Sequence, residues 1–184
     1  PLKGFSGKSG IVFKKLKDID RKEIESHKAE TLRLPGPPAA PGSYDPRAAL
    51  VKNSAEQILL LKAKEQLEIS NFEEARKLFE EVISKDPDNA TAIYGMGVSF
   101  YGRQELDKAM EYYKKALEKD PNLGIVYYNM ACLHALKSQK KLALDYLKIS
   151  VMNGFAPQDT MGKDPDLKSL QGDPTFEQIL KGDF

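Results

Sequence analysis

The chain has 184 residues, 41% of them hydrophobic, and its 28 Lys and Arg against 27 Asp and Glu leave a formal net charge of +1. That is room for one ordinary domain plus an appendage; it excludes a disordered polyelectrolyte, and no stretch approaches the roughly 18 apolar residues of a bilayer helix, so a soluble globular protein is expected. A near-neutral balance supplies no net field towards nucleic acid or an anionic membrane. Cys132 is the single cysteine. It makes no internal disulfide and no thiolate cage for a metal, so neither a metal site nor a cofactor is expected, and a reducing, cytoplasmic setting fits. An opening at Pro1 is equally compatible with loss of a leader or of a methionine.

Residues 1–34 form a basic arm: residues 1–33 carry nine Lys and Arg and five Asp and Glu, a net +4. Its start interleaves Phe5, Ile11, Val12 and Phe13 with Lys3, Lys8, Lys14 and Lys15. From Asp18 to Leu34 helix formers dominate, but Ile19, Ile24 and Leu32 give a thin apolar stripe that buries nothing by itself. The arm therefore reads as a disordered tail, as a segment that folds along a protein partner through the anchors Phe5, Ile11 and Phe13, or as a contact to an acidic surface such as RNA. Gly7-Lys8-Ser9 echoes the end of a phosphate loop, but Leu2 stands where its leading glycine belongs and no strand precedes it. Residues 35–46 follow as a spacer holding five of the chain's 11 prolines. Fixed φ and missing N–H groups favour polyproline-like extension there, with a reach of roughly 35–40 Å at about 3.1 Å per residue.

Residues 47–154 repeat with a period of 34. Ala75 falls on Ala109 and Ala143, Ala63 on Gly97 and Ala131, Phe79 on Tyr113 and Leu147, and Lys85-Asp86-Pro87 on Lys119-Asp120-Pro121. Apolar residues recur at three and four (Phe72, Ala75, Leu78, Phe79, Val82; Leu106, Ala109, Met110, Tyr113, Ala116, Leu117), the pattern of stacked helical hairpins. Small residues at two fixed phases let paired helices approach closely. Pro87 and Pro121 stop the second helix of each hairpin, and Asp88, Asn89 and Asn122 are placed to cap the helix that follows. The balanced body gives way to an acidic stretch, residues 155–184, with three basic and six acidic residues.

On these positions the body resembles a tetratricopeptide-repeat (TPR) array. Ile93, Met96, Gly97, Phe100, Ala109, Tyr113 and Pro121 occupy the signature positions of the second unit; the first departs at Lys62 and Gln66, and the third has Phe155 where the motif has proline. The final KDPDLKSLQGDPTFEQIL resembles the segment that closes bacterial TPR groups, implying a capping helix over Thr175–Leu180 with Phe176, Ile179 and Leu180 turned inward. The implied fold is all-α: three hairpins of a TPR solenoid over 47–154, a cap over 155–184 and the extended N-terminal arm.

By the same resemblance, certain first-helix positions face a ligand groove; here they include Leu60, Lys64, Leu67, Tyr94, Val98, Tyr101, Tyr128, Cys132 and Leu136. The Lys, Asn and Arg clamp with which TPR co-chaperones hold a terminal carboxylate is missing apart from Lys64. An apolar and aromatic lining suits an apolar or amphipathic ligand, unless the cap or the arm covers part of this face. Catalysis finds no support: Cys132 and His134 are two residues apart on one helix and point to different sides, and His134 takes a helix-packing position. The resemblance implies a non-catalytic adaptor acting as scaffold, assembly factor or accessory subunit, partnered by a protein or a multiprotein complex. The alternative is an RNA-associated accessory protein that uses its basic arm, which salt would discriminate.

Overall fold

The computed structural model describes residues 46–155 and 158–183. The arm, with Phe5, Ile11 and Phe13, and nearly all of the spacer lie outside these residues. The described chain is helical, with no strand in it: α1 (Pro46–Glu68), α2 (Phe72–Lys85), α3 (Ala90–Gly102), α4 (Leu106–Lys119), α5 (Gly124–Leu136), α6 (Lys140–Met152), α7 (Gln158–Met161), a 3-10 helix (Pro165–Leu170) and α8 (Pro174–Lys181). It divides into two units, the first ending at Pro87 and the second running from Asp88.

In the first unit α1 and α2 pair as a hairpin. Ala63 and Ala75, both fully buried, supply the small contacts, and Phe79 and Val82 fill the α2 face. Glu73 and Glu74 in the first turn of α2 and Lys85 in its last complement the helix dipole.

The second unit holds the pairs α3–α4 and α5–α6. Every residue of α3 from Ala92 to Tyr101 is buried, whereas α4 buries only Ala109, Tyr113 and Ala116, so α3 is packed on several sides and α4 on one. Gly97 marks the closest approach of the pair: a Cβ there would stand 2.5 Å from the Tyr113 ring and 3.3 Å from the Ala109 carbonyl oxygen. The ring therefore occupies the volume that a side chain at residue 97 would need. Asn89 caps α3 by accepting from the Ala92 N–H at 3.0 Å, as its position predicts. Asn122 does not cap α5, whose N-cap is Leu123; the Asn122 N–H instead donates to Asp120 Oδ1 at 3.0 Å, because the turn tightens one residue early.

The turns within the hairpins share a feature that the residue types hide. Ser70, Gln104 and Ser138, 34 residues apart, are left-handed at φ 60°, 63° and 59°. Each lets the next N–H reach back to the helix: Asn71 to Gln66, Glu105 to Phe100 and Gln139 to His134, at 2.8–3.0 Å.

After the third hairpin the chain does not begin a fourth. Phe155 turns inward, its ring edge-on to Tyr128 at 5.4 Å, and Ser150 ties the corner by donating to the Gly124 carbonyl at 2.8 Å and the Phe155 carbonyl at 3.1 Å. The terminal segment then packs on α5 and α6: Met161, Leu167, Leu170, Phe176 and Ile179 join Tyr128, Ala131, Cys132, Ala135, Ala143 and Leu147 in one core, with Leu180 partly buried. Asp164 and Asp173 cap the 3-10 helix and α8, and Gly182 closes α8 at φ 76°.

Candidate functional site

Six of the groove residues expected from the sequence fall in the second unit or at its edge, and α3 and α5 present most of them on one face. Tyr94, Val98, Tyr101 and Tyr128 are all buried, while Leu136 stays 39% exposed. In the first unit Leu67 is buried and Leu60 and Lys64 are half-buried on α1.

The hydroxyls of Tyr94, Tyr101 and Tyr128 have partners within the chain. Tyr94 Oη accepts from Asn129 Nδ2 at 2.8 Å. Tyr128 donates to Asp164 Oδ2 at 2.6 Å, and Tyr101 donates to Asp166 Oδ2. The C-terminal segment thus sits on this face at Tyr101 and Tyr128. Burial raises the pKa of all three phenols, and the carboxylates of Asp164 and Asp166 add to it for Tyr128 and of Asp166 for Tyr101, so each remains a neutral phenol.

Sequence reasoning missed these two aspartates as site residues. The signal was Asp164-Pro165-Asp166: proline fixes the first turn of the 3-10 helix, Asp164 Oδ1 accepts the Asp166 N–H at 2.9 Å, and both carboxyl groups are held on the α5 side. They meet Cys132, whose sulfur and one oxygen of each carboxylate all lie within 4.8 Å of one another. Burial pushes the Cys132 thiol well above its ordinary range, with Asp164 and Asp166 reinforcing it, so by itself it is a thiol and not a thiolate nucleophile. Burial likewise raises Asp166 above the ordinary carboxyl range; the Tyr101 bond opposes this and the charge of Asp164 adds to it.

Tyr113 stands apart from its neighbours. Its ring, fully buried, passes over Gly97 and lies 5.9 Å from Tyr94, yet its hydroxyl has no hydrogen-bond partner among the described residues. Burial raises its pKa well above the ordinary phenol range, and Tyr94, Cys132 and Asp166 add to the shift. An unsatisfied buried hydroxyl costs about 1–3 kcal/mol, so its survival here calls for a reason.

His134, expected in the core, is half-buried instead: its ring stacks on Tyr146 at 5.1 Å and 4°, and Nδ1 lies 2.6 Å from Gln139 Oε1. The residue faces outward because Cys132, Leu133 and Ala135 already take the inward positions of α5. It therefore shares no site with Cys132. Among the described residues no helix is long and apolar enough to cross a membrane.

A sequence model of the tetratricopeptide repeat matches residues 60–123. Among solved structures, two of the type III secretion translocator chaperone SycD of Yersinia enterocolitica are similar. One has 19% identity and a TM-score of 0.52, covering 77% of this chain and 93% of that one. The other, an alternative dimer, has 18% identity and a TM-score of 0.51, covering 70% and 90%. At such identities the likeness is one of fold. The 34-residue period and the hairpins with Gly97 and Ala109 at their closest approach agree with the matched span: the described residues are all-helical, and residues 60–123 carry the tetratricopeptide-repeat pattern.

Proposed function

We propose that the chain is a non-catalytic protein-interaction module, a scaffold, assembly factor or accessory subunit of a larger complex. It takes an apolar or amphipathic segment on the first-helix faces of its repeats and a second surface through its N-terminal arm. One observation carries this reading: the α5 face already holds such a segment. Leu167 and Leu170 of the chain's own terminus are fully buried, while Asp164 and Asp166 of the same segment satisfy Tyr128 and Tyr101. A face of aromatic rings with hydroxyl tips thus accepts leucines and acids together, and a partner of that character suits the groove positions on the remaining first helices. The similar structures belong to a translocator chaperone, a fold precedent for handling another protein. The Cys132 thiol, which burial holds protonated, is no activated nucleophile, in keeping with a non-catalytic role.

The test is affinity capture with the full chain, followed by identification of the proteins retained. It is repeated with Leu60→Ala and Leu136→Ala, the more exposed apolar groove positions. Both variants should melt close to the parent and retain less partner, in a manner that resists salt. Equal capture by the folded double variant removes the groove from the account, and capture that collapses steeply with salt favours the RNA-associated alternative.

A further inference from the structure

We propose that Cys132, Asp164 and Asp166 form a binding site for one divalent transition-metal ion of the zinc class. The sequence offers a lone cysteine; the fold brings two carboxylates to it from a segment some thirty residues further on. The three donor atoms lie within 4.8 Å of one another. Around a tetrahedral zinc ion, with bonds of about 2.0–2.3 Å, donors sit roughly 3.4–3.6 Å apart, so the set needs to close by about an ångström. Cys132 is fixed in α5, and Asp164 and Asp166 are half-buried at the start of a short 3-10 helix, where such closure is local.

Two further features suit a cation there. The carboxylates of Asp164 and Asp166 repel each other, and among the described residues no Lys or Arg is paired with either. The Tyr101 and Tyr128 bonds orient them but bring no charge. The fully buried Tyr113 hydroxyl, without a hydrogen-bond partner among the described residues, is a further oxygen in the same unit. One thiolate with oxygen donors favours a borderline-soft ion of the zinc type over calcium or magnesium. Metal binding drives the thiol proton into solvent, so the sulfur binds as thiolate.

The experiment uses the untagged full chain, stripped with a chelator and titrated with zinc against a chromophoric competitor, and in parallel with cobalt(II). The expected result is one equivalent per chain, with a thiolate-to-cobalt charge-transfer band in the near ultraviolet. Cys132→Ala should abolish that band, and Asp164→Asn and Asp166→Asn should each weaken zinc at least about tenfold. The wild-type band reads the sulfur–metal bond directly, so a variant that folds poorly does not decide the matter. No saturable uptake by the wild type, uptake without the band, or binding unchanged in folded Cys132→Ala overturns the proposal.

Discussion

Gly124→Ala is the sharpest probe of the corner where the third hairpin meets the terminal segment. A methyl group at residue 124 would stand 2.7 Å from Phe155 Cβ, 2.9 Å from the Asn153 carbonyl oxygen and 3.0 Å from that of Ser150. None of these is the tip of a flexible chain, so relief requires the N-terminus of α5 to move off the C-terminus of α6 by about half an ångström or more. Overpacking of this kind costs about 1–3 kcal/mol. The same movement stretches the buried bond from Ser150 Oγ to the Gly124 carbonyl, 2.8 Å in the parent, worth about 0.5–1.5 kcal/mol. Against this stands at most about 1 kcal/mol gained from the better helix propensity of alanine. The net is a loss of about 2 kcal/mol, which at about 2–4 °C per kcal/mol for a chain of this size lowers the Tm by about 4–8 °C. Thermal unfolding followed by circular dichroism measures it. The cycle with Ser150→Ala adds a second constraint: because the first substitution already weakens the Ser150 bond, the double variant should lose less than the sum of the singles. A Gly124→Ala protein that melts with the parent would refute the close approach, and strict additivity would refute the coupling through Ser150.

Ala109→Leu places a branched side chain at a fully buried position facing α3, and it should cost about 1–3 kcal/mol and lower the Tm by several degrees in the same assay. Tyr128→Phe keeps the ring and deletes its donor to Asp164, so a loss of about 1 kcal/mol is expected in a denaturant titration with the m-value unchanged. Gln104→Gly relieves about 1–2 kcal/mol of left-handed strain and returns about 0.4–1 kcal/mol through the looser unfolded chain, so the Tm should rise by a degree or two; a fall means that the turn is not strained. Limited proteolysis should remove residues 1–46 and leave a body of nearly unchanged Tm that captures its partner more weakly, whereas an arm protected in the isolated protein is part of the fold.

The repeats were legible because their determinants are periodic. Small residues recur at 63, 97 and 131 and at 75, 109 and 143, where paired helices approach closely. Pro87 and Pro121 mark the ends by chemistry that a sequence shows directly. The hairpin turns were not legible as left-handed, since Ser70, Gln104 and Ser138 are not glycines; the need for φ near 60° comes from closing the loop onto the next helix and is met despite the residue type. The groove positions came from the resemblance to tetratricopeptide repeats, which said nothing of their state. Register places Tyr101 and Tyr128 on a face; only the path of the terminal segment brings Asp166 and Asp164 to their hydroxyls. That path depends on Phe155 packing on Tyr128 where the preceding repeat has proline, a single-residue difference whose consequence is non-local.

The burial of Cys132 makes the protein a clock for its own opening. It is the only sulfhydryl in the chain, and it lies beneath the terminal segment at 2% exposure. A bulky alkylating reagent reaches it only when that segment lifts or the last hairpin opens. In the regime where closing outruns modification, the observed rate is the intrinsic thiol rate multiplied by the open fraction, so it reports the free energy of that local event alone. Comparing this rate with global unfolding by denaturant shows whether the end of the array peels away by itself or melts together with the rest.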